Sequence, residues 1–266
     1  MSALKTFAVC GLCLVGGAAA ARADNFEPVA DVWVVTIGGY VVGQPDYEGS
    51  DDHEAAFKPI FNITRKGSKE YLDLPDDAGG FAIVDRGGFR FGPAFGFRDE
   101  RDRGDNKDLR GLNEVDFTFE LGVFAEYWPT ENFRTRVELL QGLNGHEGFL
   151  ANFSADAVVN RGAWTFTAGP RLTAVSSEYQ EEYFSVSAAE SVASGLNQFD
   201  AEGGLHSAGV TVSASYQFSD RLALKAYAEY DRLLDDASDS PIVDDRGSED
   251  QFAIGIGAAY KFEFSR

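Results

Sequence analysis

Cysteine is nearly missing from this 266-residue chain, and the two present, Cys10 and Cys13, both lie within the first 23 residues. That segment reads as an export signal. Lys5 supplies a positive start, Phe7 to Val15 a short apolar stretch, and Ala21-Arg22-Ala23 a small-x-small cleavage pattern. The apolar stretch is too short to cross a bilayer as a helix, which needs ~20 residues. Neither cysteine follows the small-residue lipobox of a lipoprotein. Removal of residues 1–23 is expected to leave 24–266 as a single exported domain with no disulfide and no thiolate metal site.

Long hydrophobic runs are absent as well. Past residue 23 no apolar stretch approaches the length of a membrane helix, which excludes such helices but not a membrane barrel, whose strands alternate. Positive charge is scarce: 23 Lys and Arg stand against 43 Asp and Glu, for a formal charge of −20. Loss of Lys5 and Arg22 with the leader takes this to −22, a charge that repels phosphate and argues against a nucleic-acid partner. Disorder is excluded by a hydrophobic content of 44% with 22 phenylalanines.

What the chain does have is alternation. Phe89, Phe91, Pro93, Phe95 and Phe97 interleave with Arg90, Gly92, Ala94, Gly96 and Arg98. Phe117, Phe119, Leu121, Val123, Ala125 and Tyr127 interleave with Thr118, Glu120, Gly122, Phe124 and Glu126. Near the end, Phe252, Ile254, Ile256, Ala258, Tyr260, Phe262 and Phe264 do the same. Successive strand side chains point to opposite faces, so each run has one apolar and one small or polar side.

Read this way, the chain is all-β, with about twelve strands (10–14 allowed) near 31–43, 55–65, 69–75, 79–85, 88–98, 114–128, 132–143, 149–160, 163–177, 205–219, 221–232 and 250–264. Many reach the ~9–11 residues that a membrane strand needs. Tight turns such as Pro129-Thr130-Glu131, Asn160-Arg161-Gly162 and Ser219-Asp220 alternate with long acidic stretches at 44–54, 99–113, 178–204 and 233–249. Outer-membrane barrels alternate periplasmic turns and extracellular loops in this manner. The expected fold is a closed antiparallel transmembrane β-barrel, in contact with outer-membrane lipid and lipopolysaccharide.

Charge separates by face. The apolar register of the clearer strands is essentially free of ionisable residues. The other holds Lys58, Arg90, Arg98, Arg134, Arg136, Arg171, Lys225 and Lys261 against Glu120, Glu126, Glu138, Asp156, Glu229, Asp231 and Glu263. Such near balance predicts ion pairing inside the barrel, with Glu126 opposite Arg134 or Arg136. The excess negative charge belongs to the loops.

An ordered set of short motifs runs along the chain: Pro45-Asp46-Tyr47-Glu48-Gly49-Ser50-Asp51-Asp52, Gly92-Pro93-Ala94-Phe95-Gly96, Arg110-Gly111-Leu112, Glu120 to Tyr127, Gln141 to Gly148, Tyr183 to Val186, Ala193 to Leu196 and Ser238 to Val243. In this order the chain resembles the MipA/OmpV family of outer-membrane proteins, named for an MltA-interacting protein, from about Gly38 to Phe262. The resemblance implies a Gram-negative outer-membrane barrel without catalytic residues. It also implies a scaffold between a murein-degrading lytic transglycosylase and a murein synthase; other members look like adhesins or affect permeability. The tail departs from the usual aromatic ending, because Glu263-Phe264-Ser265-Arg266 follows Phe262.

Isolated chemistry is thin. His53, His146 and His206 read as solvated loop histidines. His206 with Ser207 and Asp200 would be the one hydrolase-like grouping, but no spacing fixes a base to a nucleophile. Asp51-Asp52, Asp235-Asp236 and Asp244-Asp245 offer hard oxygen ligands but no EF-hand spacing, and read as solvated acidic loops. Residues 185–194, rich in Ala and Ser, are expected to form a short helix that plugs the barrel mouth or touches a partner, or else to lie as an inert loop. No catalytic, cofactor-binding or metal-binding residue is assigned and no cofactor is expected. The expected function is a non-catalytic scaffold, with a narrow passive channel or a surface adhesin as the alternative.

Overall fold

The computed structural model describes residues 32–265 apart from 67–71, 73 and 105. The leader and most of the strand expected at 69–75 lie outside the described residues. Twelve antiparallel strands follow: β1 (Val32–Pro45), β2 (His53–Arg65), β3 (Gly79–Gly80), β4 (Val84–Arg86), β5 (Phe89–Arg98), β6 (Thr118–Thr130), β7 (Phe133–Leu143), β8 (Phe149–Arg161), β9 (Trp164–Val175), β10 (Gly204–Gln217), β11 (Leu222–Leu233) and β12 (Asp250–Ser265). Helices α1 (Ser177–Phe184), α2 (Ala188–Ser194), α3 (Asp235–Asp239) and α4 (Pro241–Asp244) sit in the long loops.

Neighbouring strands pair in the order β2-β1-β12-β11-β10-β9-β8-β7-β6-β5-β3, with β4 also on β5. β1 pairs β12 from Val32↔Ser265 to Gly43↔Ile254, so the two ends of the sheet's chain meet and the barrel is nearly closed. Phe264, beyond the usual aromatic ending, is opposite Trp33 within this ladder.

Alternation sets the faces. On β6, Phe119, Leu121, Val123 and Tyr127 are exposed, whereas Thr118, Glu120, Phe124, Glu126 and Trp128 are buried. The outside is apolar and the inside charged, the inverse of a soluble barrel. Apolar surface on this scale must face hydrocarbon. Aromatic clusters mark the lower rim, with ring centroids 4.8 Å apart for Trp164–Tyr216 and for Tyr260–Phe262. Phe97 stacks on Phe117 near the upper rim. Aromatic girdles of this kind sit at the two membrane interfaces.

Two expected elements differ from what forms. The stretch expected as a strand at 79–85 breaks into β3 and β4. In the stretch before it, Leu74–Asp77 turns into the lumen, closed by the Asp77 amide donating to the Leu74 carbonyl at 3.2 Å. The physical cause is electrostatic: Asp76 and Asp77 are held by arginines of the barrel interior. β3 is a glycine pair because it lies close against β5. A Cβ on Gly80 would come 2.5 Å from the Pro93 carbonyl oxygen.

Candidate functional site

The lower, periplasmic half of the lumen is filled by ion pairs carried on adjacent strands. Arg136 is the register partner of Glu126. Their side chains approach to 3.4 Å, and Arg136 Nε also donates to Glu138 at 2.6 Å. Arg134 Nη1 lies 2.6 Å from Asp77, Nη2 lies 2.9 Å from Asp156, and Glu126 is 3.6 Å away. Arg90 Nη1 donates to Glu126 at 3.0 Å, and Trp128 Nε1 donates to the same carboxylate oxygen at 2.7 Å. Arg171 engages Asp76, and Asp156 at 2.9 Å. Arg134 and Arg136 are 0% and 1% exposed, so their pairs are shielded from bulk water. Arg136 also rests on the Phe124 ring, 4.2 Å from its centroid, which gives the guanidinium an apolar face as well as charged edges.

The expectation that Glu126 falls opposite Arg134 or Arg136 holds for Arg136, and Arg134 reaches the same carboxylate to 3.6 Å. What sequence reasoning missed is the contribution of Asp76 and Asp77. Strand charges already balanced without them, so nothing in the count asked for two more carboxylates. Their only signal was Leu74-Pro75-Asp76-Asp77 as a turn-forming run between weak strand patterns.

The upper half carries a folded cap. Loop 176–203, which holds α1 and α2, packs Tyr179, Tyr183 and Phe184 into a core with Leu140, Leu150, Leu233, Ala237 and Val243. Sequence chemistry explains the local order. Ser187 and Glu190 form a capping box at the start of α2, and Gly195 ends it with φ 82°, a left-handed conformation that glycine adopts without strain. Glu190 also accepts from the Asn113 amide at 2.8 Å, tying this loop to the one at 99–117. Arg101 Nη1 donates to the Tyr183 carbonyl at 2.6 Å, and Arg246 Nη1 to the Asp108 carbonyl at 2.6 Å. Three loops thus hold one another over the mouth. The helix expected within 185–194 forms as α2, as part of this cap.

Beneath the cap lies a cluster of two histidines, two acids and tyrosine. His206 Nε2 donates to Glu48 Oε1 at 2.7 Å, while Tyr179 donates to Glu48 Oε2 at 2.6 Å. His146 Nε2 meets Glu120 Oε1 at 3.2 Å, and Arg98 Nε donates to that same oxygen at 2.8 Å. Asn144 (φ 66°) and Gly145 (φ 48°) turn the chain within the β7–β8 connection at 144–148, and His146 beside them is buried. Burial opposes ionisation of Glu48, yet its contact with His206, the nearby Arg98 charge and the hydrogen bond from Tyr179 hold its carboxyl well below the usual range. Burial pushes the Tyr183 hydroxyl up to about 12.

These positions correct the reading of solvated histidines. His146 and His206 are 0% and 2% exposed; only His53 is open to solvent. Burial follows from the loops folding back, which strand periodicity does not register. The hydrolase-like grouping is not assembled: among the described residues no hydrogen bond joins Ser207 or Asp200 to His206, whose Nε2 is committed to Glu48. Of the acidic pairs, Asp51 and Asp52 gather with Asp108, their ligand atoms within 4.8 Å of one another, and Lys107 stands 3.9 Å from Asp52. Asp236 is used otherwise, accepting from the Glu202 amide.

Between floor and cap is a cavity of about 1520 Å³ lined by Glu48, Asp76, Arg98, Arg171, Glu229 and Asp231 among others.

Against known families, residues 37–262 match the description of MltA-interacting protein MipA. The chain belongs to the MipA family. Outer membrane protein Omp26La of Vibrio anguillarum is 23% identical over 246 residues, 91% of each chain. Outer membrane protein YiaT of Escherichia coli K12 is 26% identical over 168 residues, 61% of this chain and 65% of that one. The MltA-interacting protein of the same strain is 27% identical over 162 residues, 61% of this chain and 63% of that one. The matched stretch thus spans just under two thirds of the length of YiaT and of the MltA-interacting protein. Among solved structures, the COG4313 outer membrane channel from Pseudomonas putida F1 aligns with a TM-score of 0.46 at 12% identity, covering 90% of this chain and 98% of that one. This MipA-family chain is an outer-membrane β-barrel protein, as its membership, its lipid-facing exterior and the names of its relatives agree.

Proposed function

We propose that this barrel is a non-conducting, non-catalytic scaffold whose periplasmic rim holds a murein-degrading transglycosylase, and with it a murein synthase, beside the outer membrane. One observation carries the first half: the buried ion-pair floor built on Arg134, Arg136, Glu126, Asp77 and Asp156 fills the lower lumen, so the barrel acts through its surfaces. The second half is supported by membership in a family described as MltA-interacting and by a relative of that name. The rim offers short exposed turns carrying Glu131, Arg161 and Arg221, polar groups suited to a transient protein contact.

The experiment is chemical crosslinking of envelopes, capture of the barrel, and assay of the captured material for murein lytic activity. The account expects lytic activity with the wild type and its loss when Arg161→Glu and Arg221→Glu reverse the rim charge at unchanged barrel folding. Capture of no murein enzyme from wild-type envelopes would overturn the reading.

A further inference from the structure

Part of the ion-pair floor is carried by a segment outside the wall. Among the described residues, 74–78 join no ladder, and β3 begins only at Gly79. This strap turns inward and meets side chains of β7, β9 and β10. Arg134 grips Asp77 with both terminal nitrogens, at 2.6 and 2.8 Å. Arg171 holds Asp76, and the Thr211 hydroxyl donates to the same carboxylate at 3.2 Å. Arg136 Nε lies 3.7 Å from Asp77, and its Nη2 donates to the Ala78 carbonyl at 3.0 Å. The Ala78 amide donates to Glu138 at 2.9 Å.

The three guanidinium groups converge over one strand. Arg136 of β7 and Arg171 of β9 are both register partners of Ser154 on β8, and Arg134 is the partner of Asp156, two residues on. All three side chains are more than nine-tenths buried. A two-pronged guanidinium grip is the geometry that recognises a carboxylate or a phosphate. Neutrality does not require the strap. Glu126, Glu138 and Asp156 on the strands already meet these arginines, three against three. Asp76 and Asp77 raise the carboxylates to five, so like charges crowd the strap and oppose its hold. Leu74 is buried and Ala78 packs on the apolar cluster that seats the cap. The remaining contacts described above are polar ones that a free anion can also make.

We infer that Arg134, Arg136 and Arg171 form a binding site for a compact dianion, and that Asp76 and Asp77 occupy it as a tethered surrogate. The ligand class follows from the surrogate: two anionic groups as close together as adjacent carboxylates, each able to fill a guanidinium fork. Residues 74–79 also line the cavity above. A dianion that takes the place of the strap therefore unlatches the floor of that cavity. The inference rests on the closed lumen proposed above and says which segment closes it.

The strap offers a reporter position. Residues 24–266 contain no cysteine, so Ala78→Cys in the exported barrel, held in lipid nanodiscs, is the one thiol that a water-soluble maleimide can label. A tethered ligand acts at an effective concentration that is roughly millimolar. The free probes, pyrophosphate and succinate, are therefore supplied well above it, with chloride at equal ionic strength as the control. A dianion that fits should speed labelling about tenfold over chloride, by shifting the floor toward the unlatched state. Acceleration by pyrophosphate alone assigns the site to phosphoryl groups, and by succinate alone to carboxylates. Asp76→Asn/Asp77→Asn in the same background should label fast in chloride at preserved folding. Equal rates in chloride and in both dianions overturn the proposal, and that comparison leaves every charged group of the floor in place. Steady current from the wild type in chloride would instead count against the closed lumen itself, so the two readings fail separately.

Discussion

Arg134 and Arg136 are two fully buried guanidinium groups, and each touches more than one carboxylate. Such pairs contribute little against an apolar replacement, but removing one member strands the others. Arg136→Met should therefore destabilise the barrel by about 3–5 kcal/mol, because Glu126 and Glu138 lose a charged partner in a dry interior. Urea unfolding in lipid checks this; an unchanged midpoint would mean the interior is hydrated. The cap makes a second residue-scale prediction. Glu48 is held below its ordinary range, so its stabilisation is present above that range and is lost as pH falls through the depressed value. Tyr183 behaves oppositely: raised from 10.0 to about 12, it favours the neutral hydroxyl, and that stabilisation is lost as pH rises between those values. The difference in tyrosinate absorbance between wild type and Tyr183→Phe should titrate near pH 12; titration near pH 10 would show the cap is open.

At the scale of the strand, Val123 is central on β6 and 38% exposed on the lipid face. Val123→Arg should cost about 2–4 kcal/mol near the bilayer midplane. Wild-type stability of that variant in lipid would show that the register is wrong. An inward arginine at Thr118 is no mild control, because Thr118 is fully buried and its hydroxyl accepts from the His146 amide at 3.2 Å. The ten long strands were legible because alternation is a local property: Phe119, Leu121 and Val123 announce their face without reference to any partner. The pairing of Glu126 with Arg136 was legible because two registers joined by a tight turn determine it. The inward turn at Leu74–Asp77 and the burial of His146 and His206 were not, since each depends on segments far apart in the chain. β3 and β4 blurred together for a related reason. Two glycines packed against β5 carry no periodic signal of their own.

For the molecule as a whole, the charge is divided by place. The interior is nearly neutral through pairing, the wall is apolar, and the acidic excess is carried by the outer loops, where it meets water and lipopolysaccharide. Export is expected to remove residues 1–23, so N-terminal sequencing of envelope protein should begin at Asp24; a retained Met1 would contradict a cleaved leader. The central claim is that the axis of the barrel is closed by the floor of ion pairs. Single-molecule recording in planar bilayers tests it most directly. The account predicts no steady unitary current from the folded wild type. Stable current steps, with an ion selectivity that changes in Arg134→Gln/Arg136→Gln at preserved folding, would contradict it and make the barrel a channel.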